Sequence, residues 1–120
     1  MRERMKVPVP RAAMGVARFH FDDLCRQPLG PADYLKIARS FHTLLVDGIP
    51  AMGPASRNEA KRFVTLVDAM YETKTKLVCS AETDPQALYP AGDGSFEFER
   101  TVSRLIEMQS ESYMALGHAV

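Results

Sequence analysis

Between Phe98 and Leu116 the chain alternates apolar and charged positions at helical spacing. Phe98, Val102, Leu105, Ile106, Gln109, Tyr113 and Leu116 fall on one face, which predicts a single long closing helix over 96–116. Arg100, Arg104, Glu107 and Glu111 share the opposite face. Upstream the period changes. Thr43–Val46 and Lys76–Ala81 are short, nearly continuous apolar runs, the pattern of strands buried on both faces. Ser56-Arg57-Asn58-Glu59 between them has the spacing of a capping box, and opens a helix to about Glu72 that buries Ala60, Phe63, Val64, Val67, Met70 and Tyr71. Strand, helix and strand at these lengths predict a βαβ unit with parallel strands and a right-handed crossover.

The first third reads as a hairpin followed by helices. Lys6–Pro10 carries two prolines and suits an edge strand, because proline donates no ladder hydrogen bond. Arg11–Met14 reads as the turn. Val16, Arg18 and His20 then alternate with Ala17, Phe19 and Phe21, the second set facing inward. A helical turn is expected over Asp22–Arg26. Pro31 suits the first position of a helix running to about Ser40, with Tyr34, Leu35, Ala38 and Phe41 inward. The whole chain, 1–120, is expected to be one α/β domain: a hairpin in 1–22, a helix and βαβ unit in 31–81, and the closing helix in 96–116.

Composition narrows the function classes. Hydrophobic residues make up 46% of 120 and charged residues 25%, an ordinary globular balance. The 15 basic and 15 acidic side chains cancel, so no bulk attraction to nucleic acid or an anionic membrane follows. No apolar run approaches a membrane span. Cys25 and Cys79 lack metal-ligand spacing and read as reduced thiols of a cytoplasmic protein, Cys79 buried on its strand. The chain enters a strand almost at once, which suits a piece of something larger.

Candidate chemistry is sparse. Arg100 and Arg104 stand one turn apart. Such spacing suits a solvated charged face, with Glu97 and Glu107 close enough for local pairing, or a pair of cations facing a phosphate or carboxylate. A phosphate-cradling loop needs G-x-x-x-x-G-K-[ST]. The nearest run, Gly48-Ile49-Pro50-Ala51-Met52-Gly53, lacks the Lys-Ser/Thr step and loses an amide at Pro50. Asp47 ends an apolar strand, as a magnesium-binding aspartate would, but strand-end aspartates are common. His20, His42 and His118 are scattered and form no metal-ligand spacing, and nothing activates Cys79 as a nucleophile.

Several words together resemble one family. Phe19-His20-Phe21-Asp22-Asp23-Leu24-Cys25, Pro28-Leu29-Gly30, Asp33-Tyr34-Leu35 and Asp47-Gly48-Ile49-Pro50 occur in collinear order. They are followed by the run from Arg57 to Tyr71, by Lys76–Ala81, and by the run from Phe98 to Ser110. The set, covering roughly 6–116, is similar to the C-terminal part of the AFG-like ATPases, AAA-type proteins with bacterial cell-division and mitochondrial members.

The resemblance implies a partial P-loop-type ATPase domain. It also implies ATP and Mg2+ as cofactors of the complete protein, with P-loop, magnesium-binding strand, sensor strand and arginine finger all lying before this region. No catalytic or metal-binding residue is expected within these 120 residues. Arg100 and Arg104 are the candidate nucleotide or interdomain contacts. The expected partners are the protein's own N-terminal ATPase region, further copies of itself and cell-division proteins, with no nucleic acid. The alternative is a free-standing, non-catalytic interaction module that adds a partner strand to the hairpin edge near Val7–Pro10.

Overall fold

The computed structural model describes residues 11–118. Its order is β1 (Arg11–Ala13), β2 (Val16–His20), α1 (Phe21–Cys25), α2 (Pro31–Ser40), β3 (Thr43–Ile49), α3 (Arg57–Thr73), β4 (Lys76–Ala81), α4 (Ser95–Glu107) and α5 (Glu111–Met114). The four strands form one sheet in the order β1-β2-β3-β4. β1 runs antiparallel to β2, while β2, β3 and β4 are mutually parallel. The α/β class, the hairpin and the parallel β3–α3–β4 unit are as the sequence predicts. A second parallel step, from β2 through α2 to β3, precedes it.

The hairpin differs in detail. The edge strand expected over Lys6–Pro10 lies outside the described residues. Arg11–Ala13 is strand rather than turn, and the turn is Met14-Gly15, both at positive φ (55° and 81°). Two residues in that conformation match the twist of the flanking strands, and glycine makes the second one easy.

Buried side chains of β2 and β3 point to one side. Ala17, Phe19, Leu44, Val46 and Ile49 meet Phe21, Leu24, Tyr34, Phe63, Leu66 and Met70 from the helices in one core. β3 is therefore buried on one face, not on both. β4 is buried on neither face: Leu77 is half-buried against the core and Val78 to Ala81 are exposed, because β4 is an edge strand among the described residues. Cys79 is accordingly exposed, while Cys25 is buried.

Pro31 opens α2 as the sequence suggests, but the side-chain capping bonds come from other residues than the sequence suggests. Ser56 makes no capping bond. Pro54–Ser56 instead forms a 3-10 turn that leads into α3. The capping carboxylates are Asp23, which accepts from the His20 amide at 2.9 Å, and Asp33, which accepts from the Gly30 amide at 2.8 Å. The predicted closing helix is two helices. Met108 to Ser110 close tight turns onto Arg104, Ile106 and Glu107, and Ser110 then caps α5 by accepting from the Tyr113 amide. The inward stripe of α4 is Phe98, Thr101, Leu105 and Met108, so Ile106 and Leu116 face outward. Leu88 and Tyr89, in the loop before α4, are also buried.

Candidate functional site

α4 packs against α3, and the contact is organised by charge as well as by apolar surface. Arg104 donates to Asp68 Oδ1 through Nη1. Arg100, one turn earlier, brings its Nη2 to 3.7 Å from Asp68 Oδ2. One carboxylate on α3 thus gathers both arginines, which offsets the repulsion of like charges one turn apart. Neither pairs with Glu97 or Glu107 among the described ion pairs. Glu107 accepts from the Tyr71 hydroxyl at 2.9 Å.

The two arginines are held differently. The Arg104 guanidinium lies 4.8 Å from the centre of the Tyr71 ring, and its side chain is 27% exposed. Tyr71 stacks on Tyr113 at 6.0 Å, and Tyr113 donates to the backbone carbonyls of Met70 and Thr75. Arg104 is therefore clamped by an acid, an aromatic face and the packing behind it. Arg100 has only the long contact to Asp68 and is 62% exposed. It borders an open cleft of about 530 Å³ between the first halves of α3 and α4, with Arg57 and Lys61 on the rim and Val64 and Phe98 on the floor. Asp93 reaches Arg57 across that rim at 3.6 Å.

Burial and partners shift several protons. The hydrogen bond to Glu107 raises the Tyr71 pKa above its ordinary value. Burial pushes the Tyr113 hydroxyl up to about 12, and it also raises Tyr34 and the Cys25 thiol. Desolvation raises the Cys79 thiol too, so neither cysteine is an activated nucleophile. His42 bonds Thr43 Oγ1 and the Met14 carbonyl rather than Cys79.

The 48–53 loop does not fit a nucleotide phosphate, and Asp47 does not fit a magnesium ion. In the 48–53 loop, the Gly48 amide donates to Ser80 Oγ at 2.9 Å, Ala51 to Glu82 Oε1 at 2.8 Å and Met52 to the Leu88 carbonyl at 2.7 Å. These amides are taken by the chain itself and form no anion cradle. Asp47 is bonded to Arg18 Nε at 2.6 Å. Among the described residues no three His, Cys, Asp or Glu side chains converge as metal ligands, and no helix is long and apolar enough to cross a membrane.

Of the candidates read from the sequence, Arg100 and Arg104 are brought together. Asp68 and Tyr71, which hold them, were not singled out. Their signal is a mirrored spacing: Asp68 and Tyr71 stand three apart on α3, as Arg104 and Glu107 do on α4.

Comparison with known proteins agrees with this division. The chain is 41% identical over 113 residues to the cell division protein ZapE of Escherichia coli K12, an alignment covering 91% of this chain and 30% of that protein. It is 33% identical over 144 residues to lactation elevated protein 1 homolog B of Danio rerio, covering 93% and 29%. No solved structure matches it. The chain thus spans about 30% of the length of the curated relatives it matches, and corresponds to a C-terminal part. Its residues 2–116 match the family described as AFG1-like ATPase, and the chain belongs to that family.

Proposed function

We propose that this chain works as one domain, the C-terminal part of an ATPase that binds and hydrolyses ATP with Mg2+ only when complete. The observation that carries this reading is the family match over 2–116 within relatives more than three times longer. The phosphate cradle and the metal ligands are then supplied by polypeptide outside these 120 residues, because the 48–53 loop spends its amides on Ser80, Glu82 and Leu88. The chain alone hydrolyses nothing.

Within that protein the two arginines divide the work. Arg104 locks α4 to α3 through Asp68. Arg100 is offered outward to an anion, the γ-phosphate of the nucleotide or a carboxylate of the nucleotide-binding part. Its 62% exposure and its 3.7 Å contact support this role, since a loosely held guanidinium exchanges partners at little cost. The E. coli relative is named a cell division protein, and a role there, in the cytoplasm where ATP is held, comes with the same reading. So does self-association. Nucleic acid is not among the proposed partners, because the net charge is zero. The free-standing module has no observation in its favour, since the hairpin edge it needs lies outside the described residues.

The test uses a full-length protein carrying this chain. Arg100→Ala is expected to lower ATP turnover with the melting temperature unchanged, whereas Arg104→Ala lowers the melting temperature. Unchanged turnover in a folded Arg100→Ala protein rules out the nucleotide contact. A full-length protein that leaves ATP intact removes the ATPase reading altogether.

A further inference from the structure

Among the described residues, the three parallel strands leave one sheet face bare. Pairing is in register, so the rows across the sheet are Val16–Thr43–Lys76, Arg18–Leu45–Val78 and, at the far end, His20–Asp47. None of these eight residues is buried, and Val78 is 54% exposed. On the opposite rows, Ala17–Leu44–Leu77 and Phe19–Val46–Cys79, the β2 and β3 members lie in the core, Leu77 is half-buried against it and Cys79 is exposed. The topology explains the asymmetry. The sheet advances β2, β3, β4 in one direction, and successive crossovers of one hand place α2 and α3 on the same face. α4 packs on α3, and the segment after it engages the Lys76 end, where Nζ donates to the Leu116 carbonyl at 2.6 Å and lies 5.3 Å from the centre of the Tyr113 ring.

A parallel sheet of this kind is nearly always covered on both faces, and by helices, because crossover connections supply them. Val16, Leu45 and Val78 give the bare face an apolar band. Arg18 and Asp47, paired at 2.6 Å, put a fixed polar group beside it. About 70% of the length of the relatives lies outside the aligned region.

Resting on the reading of this chain as part of a longer ATPase, we infer that the bare face is the docking surface for the rest of that polypeptide. The occupant is a helical layer with an apolar stripe laid over Val16, Leu45 and Val78, and with a polar group meeting the Arg18–Asp47 pair. The edge of β4, unpaired among the described residues, lies at the border of the same surface, so the covering layer reaches Val78 from both the face and the edge.

The test compares maleimide labelling of Val78→Cys in the 120-residue chain and in a full-length protein carrying it, both with Cys79→Ser. Phe96→Cys, on α4 where Phe96 is 82% exposed, serves as the reference. Val78→Cys is expected to react about ten-fold more slowly in the full-length protein while Phe96→Cys reacts equally in both. Val78→Glu is expected to lower the melting temperature of the full-length protein and to leave that of the 120-residue chain unchanged.

Equal labelling of Val78→Cys in the two proteins overturns the inference. So does protection that already appears in the 120-residue chain and grows with its concentration, which assigns the face to a second copy. ATP hydrolysis, measured in the same preparation, separates the two ideas. An active full-length protein with an open Val78→Cys leaves the ATPase reading standing and removes the docking surface.

Discussion

Arg104 and Asp68 lie 36 positions apart and form a direct ion pair where α4 crosses α3. Their side chains are 27% and 36% exposed, so water screens the pair only in part. The same guanidinium covers the Tyr71 ring. Arg104→Ala therefore loses an ion pair, a cation–π contact and the packing of its stem, together about 1 kcal/mol. Arg100→Ala is expected to cost less than about 0.5 kcal/mol, since that side chain is mostly in solvent. Urea denaturation of the two variants checks the order. Adding Asp68→Ala to each measures the coupling directly, and it should be larger with Arg104.

Gly48 sits in the irregularity between Val46 and Ile49 where the β3–β4 register shifts, at φ 74°. A Cβ there would stand 2.5 Å from Nε2 of His20. That ring is not free to swing away, because its Nδ1 accepts from the Asp22 amide at the start of α1. Gly48→Ala is expected to cost about 2 kcal/mol through backbone strain and the displaced cap. Gly53 has ordinary extended backbone and nothing within 4 Å of its would-be Cβ. Gly53→Ala is expected to stay within about 0.5 kcal/mol. Thermal melts of the pair separate strain from simple loss of glycine freedom.

Thr101 Oγ1 is buried against the core without a hydrogen-bond partner among the described residues. The hydroxyl is desolvated and recovers nothing. Thr101→Val keeps the shape and removes the polar atom, and is expected to raise stability by about 1 kcal/mol. A lower denaturation midpoint for Thr101→Val would mean that the hydroxyl has a partner in solution.

The α/β class, the parallel β3–α3–β4 unit and the pairing of Arg100 with Arg104 in space were legible because each rests on local period. What was not legible depends on layers that period does not report. An apolar run such as Lys76–Ala81 reads the same whether both sides are covered or neither, so the exposure of Val78 and Cys79 had no local signal. The stripe of the closing helix was read correctly at Phe98, Leu105 and Tyr113 and in part at Val102, but Thr101 and Met108 are buried where Ile106 and Gln109 were expected, a choice made by the elements that pack against it. The break at Met108–Ser110 was visible only as Ser110 before Glu111, a weak cap signal inside a strong periodic pattern. Asp68 was missed because a lone carboxylate on a helix looks solvated until a facing arginine is placed opposite it.

Alkaline pH should unfold the chain through groups that hold their protons too tightly when folded. Tyr113 is pushed up to about 12 from an ordinary 10.0, and Tyr71, Tyr34 and Cys25 are also raised. In the unfolded chain the thiol titrates near 9.0 and the tyrosines near 10.0, so from pH 9 upward the unfolded state binds fewer protons than the folded one. Stability is then fully present below pH 9 and is lost as pH rises through 10 toward 12. Tyr113→Phe tests one contributor. At neutral pH it gives up the bonds to the Met70 and Thr75 carbonyls and loses about 1 kcal/mol. It has no phenol to titrate, so its stability falls less steeply above pH 10 and its denaturation midpoint overtakes that of the parent chain between pH 10 and 12. Parallel curves for the two proteins from pH 7 to 12 would show that Tyr113 keeps an ordinary pKa when folded.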